Sequence, residues 1–235
     1  MSSAVERAPA LTTTSFAILG LLAIRPWTTY ELALQMERTL NRVWPRARSR
    51  LYDEPKKLVA HGLATATKDA VGRRPRTVYT ITRQGRQALA EWLKAPGSGP
   101  SLESEQLIKL FFADQGSKDD ALATLEASRA WATAQLDVFT QAARDYLAGH
   151  GPFPQRSAVT SLSARFMVDF YELVDRWAQW AVGIVQHWPE DPSQAEPTLD
   201  LDRYILDQAA KRQRTANATN ATATPERAAD QQLRA

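Results

Sequence analysis

The chain has 235 residues, enough for one or two hydrophobic cores that stand without staples and too few for three. It contains no cysteine, which excludes structural disulfides, thiol catalysis and Cys-containing zinc sites, and its three histidines, His61, His150 and His187, are far apart in sequence, so neither metal nor cofactor is expected. The net charge of +3 hides an asymmetry: residues 1–95 hold 16 Lys and Arg against 7 Asp and Glu, whereas residues 96–235 hold 13 against 19. A basic amino-terminal half is the electrostatic footprint of a polyanion partner, because each neutralised phosphate releases condensed counterions.

Residues 1–13 lack periodicity and are expected to form a flexible arm. The apolar run Ser15–Ile24 is too short for the ~20 residues a membrane span needs, and it leads into Arg25, Pro26 and Trp27 with no small-residue cleavage site. It therefore predicts a buried helix in a cytoplasmic protein without membrane association. Thr28 and Glu31, three apart, form a capping box at the start of a second helix reaching about Leu40. From Arg46 to His61 the residues Ala47, Leu51, Pro55 and Leu58 recur at helical spacing, with Arg46, Arg50, Asp53 and Lys57 on the other side; His61 and Gly62 suit the helix end. The Thr-rich segments Leu63–Lys68 and Arg76–Ile81, separated by Gly72 and Pro75, predict a β-hairpin, and Thr82 caps a further helix with Gly85, Leu89, Trp92 and Leu93 on one face.

Three helices followed by a β-hairpin wing define a winged helix-turn-helix over residues 14–94. The breaker-rich stretch Ala95–Gly99 places a linker at 95–102. A helical dimerisation domain is expected at 103–188, with one helix near Glu103–Ala113 and long helices at about Lys118–Ala148 and Ser157–Trp188. The 189–235 tail is expected to be helical at 199–214 and disordered beyond. The fold class is thus mainly α.

The last long helix carries two apolar seams, one through Phe166, Phe170, Leu173, Trp177, Trp180 and Ile184, the other through Met167, Tyr171, Val174, Ala178, Ala181, Val185 and Trp188. A helix apolar on two sides must be covered on both. A second copy of the chain is the expected cover and the first seam the expected dimer interface; a monomeric bundle with the preceding long helix and residues 199–214 is the alternative.

The ordered set Ile18–Leu22 (ILGLL), Tyr30–Leu32 (YEL), Leu51 and Tyr52 with Lys56, Lys57 and Leu58, Gly62 and Leu63, and Tyr79–Thr82 with Gly85 resembles the PadR-like transcriptional regulators over about residues 14–94. The acidic half is similar to the longer helical domain of one PadR subgroup, which dimerises by interleaved helices; helix order and the IKLFF run Ile108–Phe112 carry that likeness. Pro55 stands where the family usually has Leu, and a proline there removes one backbone hydrogen bond and predicts a kink.

The DNA-contacting candidates are Arg46, Arg48, Ser49, Arg50 and Tyr52 near the start of the third helix, with Lys56 and Lys57 equally readable as solvated surface. Arginine pairs bidentately with guanine, which discriminates by about 1–3 kcal/mol. Arg73, Arg74 and Arg76 at the hairpin tip are expected to touch phosphate or the minor groove, and Tyr79 behind them to be core. A homodimer would present two such units to a two-fold operator on double-stranded DNA. The resemblance implies a repressor. Trp27, Trp44 and Trp92 are the candidate pocket for a small aromatic or apolar effector. Two rival classes remain: a non-DNA adaptor that binds protein through a degenerate winged helix and helical arm, and an enzyme, disfavoured because no Gly-rich phosphate loop, metal spacing or nucleophile–base set is present.

Overall fold

The computed structural model describes residues 10–45, 48–71, 74–197 and 200–232. These fall into two units, Met1–Pro100 and Ser101–Ala235, and the boundary lies within the predicted linker.

In the first unit, helix α1 (Thr13–Ile24) opens on a capping box in which Thr12 and Ser15 satisfy each other's backbone N–H groups. Its apolar residues point several ways because α3, α4 and β3 all pack on it, leaving Ile18, Leu19 and Leu22 buried. A two-residue strand β1 (Trp27–Thr28), not expected from sequence, precedes α2 (Thr29–Gln35), which Thr28 and Glu31 cap as predicted. Burial alone would raise the Glu31 carboxyl; the backbone N–H and hydroxyl of Thr28, with Arg25, outweigh it and hold it below the ordinary value. The helix reaches Leu40, but Met36–Leu40 is a π turn, with the Asn41 N–H reaching back to the Met36 carbonyl at 2.9 Å.

Helix α3 (Arg48–Ala60) runs as one helix through Pro55, whose ring is fully buried, and ends at Gly62, which takes the left-handed φ of 69°. Strands β2 (Ala64–Val71) and β3 (Arg74–Ile81) pair antiparallel in register from Ala64 opposite Ile81 to Val71 opposite Arg74, a longer hairpin than the sequence predicts. β1 adds to the other edge of β3, with Trp27 opposite Tyr79, so the sheet order is β1-β3-β2. Thr82 then caps α4 (Arg83–Lys94). Glycine is required at the head of α4: a Cβ on Gly85 would lie 2.1 Å from the Leu63 carbonyl oxygen and 2.9 Å from Ile81 Cγ1.

The second unit contains α5 (Glu105–Phe111), α6 (Lys118–Leu147), α7 (Ser157–Val185) and α8 (Leu201–Gln232). Ser117 and Asp120 close a third capping box at the start of α6. α6 and α7 form an antiparallel pair that buries Ala121, Leu125, Ser128 and Ala132 against Met167, Tyr171, Ala178, Ala181, Val182 and Val185. Trp131 meets the Tyr171 ring edge-on at 5.2 Å, and Arg129 pairs with Asp175 at 3.4 Å. The tail departs from expectation. Helix α8 continues to Gln232 instead of ending near residue 214, through the Thr- and Asn-rich stretch 215–224 and Pro225.

Candidate nucleic-acid interface

The spacing of α3 sorts its residues into two sides. Leu51, Glu54, Pro55 and Leu58 are buried, while Tyr52, Asp53 and Lys56 are exposed. Arg48, Ser49 and Arg50 form the first turn, with side chains outside what is described; Arg46 and Arg73 lie wholly outside the described residues, and for Arg74 the description covers the backbone of β3 alone.

The two lysines are not bare cations. Lys56 Nζ donates to Asp53 at 2.9 Å, and Lys57 Nζ donates to Glu54 Oε1 at 2.7 Å. The hydrogen-bonded Asp53 carboxylate holds the Lys56 ammonium above its ordinary pKa. On the hairpin, Arg76 Nε donates to Asp69 Oδ2 at 2.9 Å across the β2–β3 ladder, and its guanidinium stays exposed. Tyr79 is buried, as the sequence predicts.

Sequence reasoning passed over Glu54. Its signal was available: a carboxylate three residues after Leu51 and four before Leu58 falls on the apolar side of the helix. Its Oε2 accepts the Ser15 hydroxyl at 2.6 Å.

The three tryptophans chosen for an effector pocket have separate settings within the first unit. Trp27 is a core residue: it is buried, its indole N–H donates to the Leu21 carbonyl at 2.8 Å, and the Arg25 guanidinium lies 3.4 Å above its ring. Trp44 donates from Nε1 to Thr14 Oγ1 at 3.0 Å, and Trp92 stacks on Phe16 with centroids 5.1 Å apart. In the second unit an open apolar groove of about 1280 Å³ lies between α5, α6 and α7, lined in part by Leu107, Phe112, Trp131, Leu173 and Trp177.

Of the two seams on α7, α6 covers the one through Met167, Tyr171, Ala178, Ala181 and Val185. On the other, Phe166, Leu173 and Trp180 recur every seven residues and remain 57%, 55% and 49% exposed. Phe170, Trp177 and Ile184 on that seam are half-buried, Trp177 against the α6–α7 core.

Residues 18–91 match the transcriptional regulator PadR-like family, and residues 103–186 match the virulence activator alpha C-terminal family. The amino-terminal region is thus a PadR-like domain. The negative transcriptional regulator PadR of Bacillus subtilis is 30% identical over 108 residues, an alignment spanning 45% of this chain and 59% of that protein. The crystal structure of Bacillus subtilis PadR in complex with operator DNA superposes with a TM-score of 0.65 at 21% identity, covering 74% of this chain and 99% of that one. The same protein in complex with p-coumaric acid gives 0.60 at 21% identity, covering 75% and 100%. The Vibrio cholerae virulence activator AphA gives 0.57 at 22% identity, covering 74% and 98%. These likenesses establish the fold as a PadR-type winged helix with a carboxy-terminal helical region. About a quarter of this chain has no counterpart in them, and the two family matches end at residue 186, before α8 begins.

Proposed function

We propose that the chain is a cytoplasmic, homodimeric transcriptional repressor that binds a two-fold operator and is released by a small aromatic or apolar effector. Its role is to bind rather than to catalyse. The observation that carries this reading is that α3, with Arg48, Arg50, Lys56 and Lys57, and the β2–β3 hairpin, with Lys68, Arg74 and Arg76, pack together in one winged-helix core. In this reading α3 enters the major groove, Arg46, Arg48, Ser49, Arg50 and Tyr52 contact base edges or flanking phosphates, and Arg73, Arg74 and Arg76 on the wing hold the backbone. Lys56 and Lys57, each tied to a carboxylate one turn earlier, contribute less.

The uncovered line of Phe166, Leu173 and Trp180 supports dimerisation through α7. The α5–α6–α7 groove supports an apolar effector better than the tryptophans of the first unit do, and the p-coumaric acid complex of the Bacillus subtilis relative supports the same chemical class. Repression follows the relative named a negative regulator. The match of residues 103–186 to a virulence activator region favours activation as a second reading, which transcription of a reporter from the bound promoter distinguishes.

The decisive experiment is a competition shift assay on upstream DNA recovered by footprinting. Single replacement of Arg48, Arg50 or Tyr52 by Ala should reduce operator affinity more than random-duplex affinity. If all three variants keep the wild-type preference, α3 is not the reader and the protein-binding adaptor takes its place.

A further inference from the structure

A DNA-reading helix needs more than an apolar seat. Leu51, Pro55 and Leu58 offer a surface on which a helix can roll by a fraction of a turn, because hydrophobic contact has no direction. At about 5–6 Å from a helix axis, the outer reach of its side chains, a roll of roughly 20° moves an atom by about 2 Å, which is enough to break a bidentate base contact.

Glu54 sits within that seat at 5% exposure. Its Oε2 accepts the Ser15 hydroxyl at 2.6 Å and its Oε1 accepts Lys57 Nζ at 2.7 Å. Ser15 is fully buried, and its Oγ in turn accepts the Thr12 backbone N–H at 2.9 Å, so the contact ends on the capping box that opens α1. Both carboxylate oxygens are engaged, as a buried charge requires, and one of the bonds crosses from α3 to a different helix. Lys57, on the same element, keeps its side chain only 29% exposed while it serves this carboxylate.

We propose that Glu54 is the positioning residue of the reading helix: through Ser15 it fixes the rotation of α3 on α1, and it holds Lys57 as its counter-ion instead of leaving that lysine for phosphate. The proposal rests on the reading of α3 as the DNA-contacting helix.

The test uses the full chain and four variants: Glu54→Leu, of similar volume without an acceptor, Glu54→Gln, which keeps one, Ser15→Ala and Lys57→Ala. Affinities for the footprinted operator and for a random duplex are measured beside thermal melting. The operator-to-random ratio is the deciding quantity. A purely structural loss lowers the folded fraction that binds either duplex and leaves their ratio alone. Glu54→Leu should lower the ratio by about tenfold, equivalent to one well-aligned bidentate contact. Glu54→Gln should recover most of it, and Lys57→Ala should leave the salt dependence of binding unchanged. Should Glu54→Leu fail to fold, Ser15→Ala carries the test with a several-fold fall in the same ratio.

A folded Glu54→Leu or Ser15→Ala protein with the wild-type ratio overturns the positioning role. A slope shallower by about 0.9 in Lys57→Ala overturns the counter-ion role. Arg48→Ala and Arg50→Ala run in parallel separate the layers: if they too keep the ratio, the reading of α3 falls and the proposal with it, whereas if they lose it while Glu54→Leu keeps it, only the positioning claim falls.

Discussion

The wing offers a quantitative test, because Arg76 already has a partner before any DNA arrives. Its guanidinium, 46% exposed, is bonded to Asp69 on the neighbouring strand. An exposed ion pair of this kind contributes about 0.2–1 kcal/mol, and that contribution is lost when the arginine turns to a phosphate. Asp69→Asn should therefore strengthen binding to operator and random duplex alike, by about 1.4- to 5-fold, the same energy expressed as an affinity ratio at RT of about 0.6 kcal/mol. Arg76→Ala should weaken both and make the slope of log affinity against log salt shallower by about 0.9; replacing Arg73, Arg74 and Arg76 together should remove about 0.9 for each phosphate that is no longer neutralised. The two effects are coupled, so Asp69→Asn placed in the Arg76→Ala background should recover little of its gain beyond long-range screening. Fluorescence anisotropy titrations at a series of salt concentrations, from about 50 to 200 mM, measure all of these. An Arg76→Ala protein with the wild-type slope, or an Asp69→Asn protein with unchanged affinity, would show that the wing does not reach the backbone.

On the helical domain, Trp180→Glu should weaken the dimer by at least about 30-fold, as hot-spot residues do, without unfolding the chain, since half of this side chain is exposed within one protomer; sedimentation velocity and melting separate the two, and an unchanged dimer removes α7 from the interface. Gly85→Ala should destabilise the first unit by about 1–3 kcal/mol or more, because its methyl group collides with the Leu63 carbonyl rather than with a movable side chain; chemical denaturation checks this. Acid sensitivity should trace partly to Glu31. Its pKa is depressed in the fold, so the stability it contributes is present above the ordinary 4.5 and is lost as pH falls through the lower folded value. A Glu31→Gln variant should accordingly show a smaller fall in melting temperature between about pH 5 and pH 3 than the parent.

Periodicity and capping chemistry made most of the first unit legible in advance. Thr28 with Glu31, Thr82, and Gly62 each mark an element end by a side chain or backbone need that is local in sequence, and those ends stand where the residues require. What escaped was set by distant partners. Strand β1 exists because Trp27 and Thr28 find Tyr79 and Val78 some fifty residues later, and two residues carry no periodic signal of their own. For Glu54 the spacing gave the side of the helix, but its partner did not show: Ser15 lies on another helix, 39 residues earlier. The settings of the tryptophans were hidden for the same reason: residue type alone does not show that β1 and α1 draw Trp27 inward or that Phe16 stacks on Trp92. On α7 the two seams were legible from spacing, and α6 covers the second of them, its small residues Ala121, Ser128 and Ala132 letting the helices approach along the Ala178 and Ala181 side.

Helix α8 changes what can be attached to this protein. With 32 residues at about 1.5 Å each, its helical path is roughly 48 Å, longer than one turn of B-form DNA at about 34–36 Å. Its sequence lies after both family-matched regions, so a fluorophore or purification tag joined beyond Gln232 would sit on a helical spacer outside those regions. A chain cut after residue 200 would keep every helix that the matched regions contain, which makes that point the natural place to shorten the protein for crystallisation or to graft a second module onto it.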